Sequence, residues 1–122
     1  MVFVRDTAKV AETLPGYVCY PHASVDLDVR LALYERAKMN FFVPNGPYGL
    51  AIFTDVPHMV PMMMDPTETY WPYTPLFWEK NMGIGEGDQW PWSGPHQRII
   101  WGARDDCDVL IRAWEQTERV AA

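Results

Sequence analysis

The stretch Met39-Asn40-Phe41-Phe42-Val43, then Pro44-Asn45-Gly46-Pro47, then Tyr48-Gly49-Leu50-Ala51, decides the fold. A short apolar run rich in aromatics and closed by a proline reads as a buried strand. Pro47 suits a first helical position, where its missing N–H costs nothing, and Asn45 or Gly46 suits the cap before it. A short helix through Thr54 follows, and Pro57 ends it. His58-Met59-Val60-Pro61-Met62-Met63-Met64 reads as the next strand, with Met59, Met62, Met63 and Met64 as packing residues. Pro61 counts against that strand unless it lies at an edge or a bulge. A helix between two strands demands a crossover, so strands 39–43 and 58–63 must run parallel.

Outward from this unit the pattern repeats. Val2-Phe3-Val4 and Tyr17-Val18-Cys19-Tyr20 are strand candidates, with room for one helical turn between Thr7 and Gly16. Ser24 or Asp26 caps a helix through about Lys38, whose Leu27, Leu31 and Tyr34 share one face. Arg98-Ile99-Ile100-Trp101 is a last short strand. Asp105 caps a last helix with Val109, Leu110, Ala113, Trp114, Thr117 and Val120 on one side. Alternating strands and helices predict an α/β class. We expect one domain over 1–122, a single Rossmann-like layer whose strands at 2–4, 17–20, 39–43 and 58–63 join one mainly parallel sheet.

Composition sets the outer bounds. A chain of 122 residues matches one domain, and it buries about two-thirds of its unfolded surface without staples. Ten basic against sixteen acidic residues give a net charge of −6, and no Lys/Arg cluster occurs. That balance excludes wrapping around a nucleic-acid backbone. Phe41 to Thr54, the longest uncharged stretch, is too short to span a bilayer. Met1-Val-Phe-Val lacks the pattern of a secretory signal. Cys19 and Cys107 make no disulfide scaffold, though they leave one bridge open. These features together predict a cytoplasmic protein.

The segment from Tyr70 to Trp101 is unusual. Tyr70, Trp71, Tyr73, Phe77, Trp78, Trp90, Trp92 and Trp101 alternate with Pro72, Pro75, Pro91, Pro95 and four glycines. Prolines at this density argue against regular helix or a central strand. The aromatic load argues against disorder. The expectation is a long, ordered, irregular loop. Trp71, Trp78 and Trp92 are expected at an apolar surface that drives self-association or captures a partner chain.

Each candidate motif has a bland alternative. A turn at a strand's carboxyl end, opening a helix, offers N–H groups to a phosphate or sugar, with the Asn45 amide as a polar handle. Alternatively, Asn45-Gly46-Pro47 only turns the chain and caps the helix. Gly83-Ile84-Gly85-Glu86-Gly87-Asp88 lacks the spacing and the lysine of a phosphate loop, so its glycines let the loop turn while Asp88 and Gln89 bond backbone groups. Trp90, Trp92 and Trp71 either stack sugar rings or bases, or plug the core. His22, His58 and His96 share no metal-ligand spacing, and no metal or cofactor is expected. His96, beside Ser93 and Gln97, is a candidate catalytic group or a loop brace.

Leu31-Ala32-Leu33-Tyr34-Glu35-Arg36-Ala37, the strand, Asn45-Gly46-Pro47-Tyr48-Gly49-Leu50-Ala51 and Pro57 together carry a family resemblance. They resemble the C-terminal, donor-binding part of GT-B bacterial glycosyltransferases of the heptosyltransferase-like kind. Val2-Phe-Val-Arg-Asp, Gly85-Glu-Gly-Asp-Gln-Trp-Pro-Trp-Ser and Pro95-His-Gln-Arg-Ile look like segments of related bacterial proteins. The resemblance implies that Asn45, Gly46, Pro47 and Tyr48 contact the phosphates or sugar of a nucleotide-sugar. Asp88 and Gln89 would then bind hydroxyls, and Trp90 or Trp92 would stack. Two-domain members carry an acceptor domain ahead of this part, and this sequence starts without one. The expectation is a fragment or stand-alone donor half, with turnover needing another chain or domain for a base and acceptor site. The competing expectation is a non-catalytic interaction module that docks through the aromatic loop 70–101.

Overall fold

A computed structural model describes residues 1–62, 74–102 and 107–121. Tyr70, Trp71, Tyr73, Met63, Met64 and the Asp105 cap lie outside these residues. The chain divides into two compact units, Met1–Ala37 and Lys38–Ala122. The class is mixed α/β with short parallel sheets.

In the first unit, β1 (Val2–Phe3) pairs in parallel with β2 (Val18–Cys19), in the register Val2↔Val18 and Phe3↔Cys19. A 3-10 turn at Thr7–Lys9 fills part of the crossover, its N–H at Ala8 accepted by the Asp6 carboxylate. Helices α1 (His22–Val25) and α2 (Leu27–Arg36) follow. Asp26 begins α2 as its sequence position predicts, its carboxylate accepting from the N–H groups of Asp28 and Val29 at 3.0 and 3.1 Å. Buried Arg30 donates from Nε to the Ala23 carbonyl, which fixes α2 against α1.

The second unit holds the strands β3 (Asn40–Phe41), β4 (His58–Met62) and β5 (Gln97–Trp101), in the order β3-β4-β5 and all parallel. Asn40 is opposite His58, and His58 is opposite Gln97. The parallel pairing required of strands 39–43 and 58–63 is therefore present. The expectation of one sheet is corrected: the strands form two sheets, of two and three strands. β1 and β2 are each two residues long, and after Tyr20, whose N–H still reaches the Phe3 carbonyl, Pro21 has no N–H to extend the ladder.

Met59, Val60 and Met62 of β4 are fully buried. Burial of side chains this size contributes about 1.5–3 kcal/mol each, so the central strand anchors the unit. Pro61 sits within this central strand without breaking a ladder bond. Asn40 and Phe42 donate to the Pro57 and Met59 carbonyls, so the odd-numbered backbone groups of β4 face β3. The Pro61 nitrogen faces that same side, beyond the last paired residue, Met59. The position is locally an edge.

The reading of 70–101 as irregular throughout is corrected as well. Pro75–Met82 is a helix, α4. Thr74 caps it by accepting from the Phe77 N–H, Pro75 occupies the first turn, and Gly83 ends it at φ 68°. The last helix, α5, runs from Cys107 to Ala121. Its Trp114 ring lies 5.8 Å from Phe41, and Thr117 is fully buried. Among the described residues, no helix is long and apolar enough to cross a membrane. Cys19 and Cys107 are both free thiols.

Candidate functional site

The turn after β3 lies at the carboxyl edge of the three-stranded sheet, where parallel sheets place ligands. Asn45 is extended, at φ −142° and ψ −175°, and precedes a 3-10 turn at Gly46–Tyr48 and helix α3 (Gly49–Ile52). Asn45 and Gly46 are exposed, and the Asn45 side chain makes no capping hydrogen bond. The backbone N–H groups of Asn45 and Tyr48 are committed to the Val43 and Asn45 carbonyls, at 2.8 and 3.1 Å. The Gly49 N–H goes to Gly46 and Pro47. Pro47 has no N–H. The turn thus presents the Asn45 amide and the Gly46 N–H to solvent.

Tyr48 faces inward. It is 2% exposed, its ring 5.7 Å from Phe42 and 5.4 Å from His58, edge-on to the latter. Its hydroxyl accepts a hydrogen bond from Trp90 Nε1 at 2.8 Å. Burial pushes the Tyr48 hydroxyl up to about 12, even though the Trp90 donor favours the ionised form. The side chain is neutral at physiological pH and serves the core. Any contact it makes with a ligand at the turn would be through its backbone.

His58 is the buried polar residue at the start of β4, and sequence reading gave it no role. Its Nδ1 lies 2.9 Å from the Val56 carbonyl. A carbonyl only accepts, so Nδ1 carries the proton. Burial lowers the His58 pKa, and the Val56 bond offsets this only in part. The imidazole is neutral and enclosed by Phe42 and Tyr48.

The other predicted residues divide between bracing and exposure. The Asp88 carboxylate accepts from the Gly85 N–H at 3.1 Å, and the Asp88 carbonyl accepts from Trp101 Nε1 at 2.6 Å. Gln89 acts as a substitute strand. Its Oε1 accepts from the Ile99 N–H at 2.6 Å, and its Nε2 donates to the Ile99 carbonyl at 2.8 Å. This closes part of the free edge of β5 with a side chain. Both residues bond backbone groups, as the bland alternative held.

Trp90 is buried and stacks on Trp92 at 5.5 Å, and Trp92 stacks on Phe53 at 5.2 Å. Trp92 Nε1 donates to the Ile52 carbonyl at 2.7 Å, holding the loop to the end of α3. Trp92 is 51% exposed and Phe53 77% exposed. Trp78, expected at the surface, is buried in α4. The aromatic residues therefore plug the core at Trp90 and Trp78 and reach solvent at Trp92.

Gln97, at the start of β5, is 5% exposed and was missed. It accepts from the Gly94 N–H at 3.0 Å and donates to the Thr54 and Val56 carbonyls. His96 contributes its backbone carbonyl, which accepts from the His58 N–H at 2.9 Å. Among the described residues, no three His, Cys, Asp or Glu side chains gather as a metal site would need. No family model matches the chain, and no curated protein or solved structure matches it either.

Proposed function

We propose that residues 38–122 form a Rossmann-like, glycosyltransferase-like donor domain that holds the phosphates or sugar of a nucleotide-sugar at Asn45-Gly46. The observation that carries this reading is the Asn45 side chain. It stands exposed at the carboxyl edge of a parallel sheet, at a capping position, and caps nothing. A residue needed only to begin a helix would bond the first free N–H groups. The resemblance of the Asn45-Gly46-Pro47 segment to GT-B enzymes points to the same place. Acceptor binding and turnover belong to a further chain or domain, which would also supply the base.

Titration with UDP, GDP and ADP, followed by backbone amide shifts, tests the reading. The net charge of −6 opposes an anionic donor, so binding is expected on the order of millimolar, or about 4 kcal/mol. Shifts at Gly46, Tyr48 and Gly49 that Asn45→Ala weakens are the expected result. If those amides stay still at saturating nucleotide, the turn only reverses the chain.

The Phe53–Trp92 stack favours a second reading, in which this face docks onto a protein partner. Two large stacked rings exposed together mark interaction surfaces. Sedimentation that depends on protein concentration, and that Phe53→Ser abolishes, is the result this reading requires.

A further inference from the structure

β5 and one face of α5 border a cleft of about 440 Å³, within the size range of small-molecule sites. Arg98 and Ile100 share one side of β5 by the strand's two-residue period. Val109, Arg112, Ala113 and Gln116 share one face of α5 by the i, i+3, i+4, i+7 spacing. All six line the cleft.

Two arginines therefore line one cleft of a chain whose net charge is −6. Neither Arg98 nor Arg112 has an acidic partner among the described residues, where the ion pairs are Arg5–Glu12 and Lys38–Glu118. Of the three other polar side chains of the cleft, Gln89, Trp101 and Gln116, two are already committed. Gln89 pairs with the Ile99 backbone, and the Trp101 indole donates to the Asp88 carbonyl. Arg98, Arg112 and Gln116 remain, beside an apolar wall of Ile100, Val109 and Ala113. Guanidinium forks match phosphate oxygens with two parallel hydrogen bonds. A phosphate monoester carries nearly two negative charges at neutral pH, which balances two arginines where a single carboxylate would not.

We propose that this cleft binds an organic phosphate, its phosphate held by Arg98 and Arg112 and its body resting against Ile100 and Val109. This site is additional to the Asn45 turn and uses none of its residues.

The test is an amide-shift titration with uridine monophosphate and, separately, inorganic phosphate, each against sodium chloride at matched ionic strength. Saturable shifts are expected across 98–102 and 109–116, with the nucleotide binding at least about threefold tighter than phosphate, because only it meets the wall. Arg98→Gln and Arg112→Gln should each weaken the binding read at 98–102 and 109–116 about tenfold, and Arg112→Lys less. Near-ultraviolet circular dichroism identifies any variant that has lost its packing. Shifts that chloride reproduces, or folded arginine variants that bind as tightly as wild type, would overturn the site. Equal affinity for phosphate and nucleotide would overturn the organic part of the ligand.

Discussion

The Trp90 indole donates to the Tyr48 hydroxyl across 2.8 Å, a bond between residues 42 apart that is closed from solvent on both sides. It ties the Gly-rich loop to the start of α3 and lets two large side chains enter the core without stranding a polar atom. Removing one partner leaves the other buried and unpaired, at a cost of about 1–3 kcal/mol. Tyr48→Phe is expected to fall in that range by urea denaturation. Trp90→Phe should cost more, because it also removes indole area and the stack on Trp92. In the double variant the two losses should sum to less than the singles, with a coupling of about 0.5–1.5 kcal/mol. Simple additivity would mean that the bond contributes nothing.

The same burial makes His58 a source of acid sensitivity. Its pKa is lowered from 6.5 in the folded chain, so on acidification the unfolded chain takes up this proton first. Stability rises with pH wherever the unfolded state binds more protons. The stabilisation by neutral His58 is thus fully present above the unfolded pKa and declines as pH falls below 6.5 toward the folded value. Denaturation midpoints taken between about pH 7.5 and about pH 5 should fall. The slope should flatten in His58→Gln, which has nothing to titrate at that position. An unchanged slope would assign the acid sensitivity to other groups.

How far the sequence could be read depended on whether a signal was local. Asp26 at the start of α2, the parallel pairing of the strands at Phe41 and Met59 and the strand at Arg98 were all legible from cap chemistry and periodicity. Helix α4 was missed although Thr74, Pro75 and Gly83 are a cap, a first-turn proline and a left-handed stop in the right order. The density of prolines around them obscured it. The division into two sheets was not legible, since pairing between short strands is decided by residues far apart in the chain. At the candidate site, the exposed Asn45 was visible from its turn. The inward direction of Tyr48 and the buried bonds of Gln97 depend on partners about 40 residues away, which no window of sequence contains.

Gly83 ends α4 in the left-handed region at φ 68°, and the N–H groups of Gly83 and Ile84 both reach the Trp78 carbonyl. A Cβ at this position would meet nothing within 4 Å. Gly83→Ala therefore measures backbone conformation alone, and the expected loss is about 1 kcal/mol. Gly83→Asn should lose less, because asparagine tolerates this region best among the larger residues. Both values are read from denaturation midpoints at unchanged slope. A loss well above 2 kcal/mol would show that the helix end carries a contact beyond its geometry.

Gln97 closes the junction between the end of α3 and the entry to β5. Its Nε2 supplies protons to the Thr54 and Val56 carbonyls, and its Oε1 takes one from the Gly94 N–H. Gln97→Leu fills the space but strands the Gly94 N–H and the Thr54 carbonyl and leaves the Val56 carbonyl only its bond from His58 Nδ1, so a loss of about 1–3 kcal/mol is expected. Gln97→Glu is the sharper variant. An ionised carboxylate still accepts from Gly94, but it has no proton for either carbonyl and brings a buried charge. At neutral pH it should therefore be less stable than Gln97→Leu. On acidification the carboxyl takes up a proton and recovers one donor, so the gap between the two variants should narrow as pH falls. Measuring both at each pH cancels the contribution of His58. If Gln97→Glu matches the wild type at neutral pH, the amide nitrogen is not what holds Thr54 and Val56.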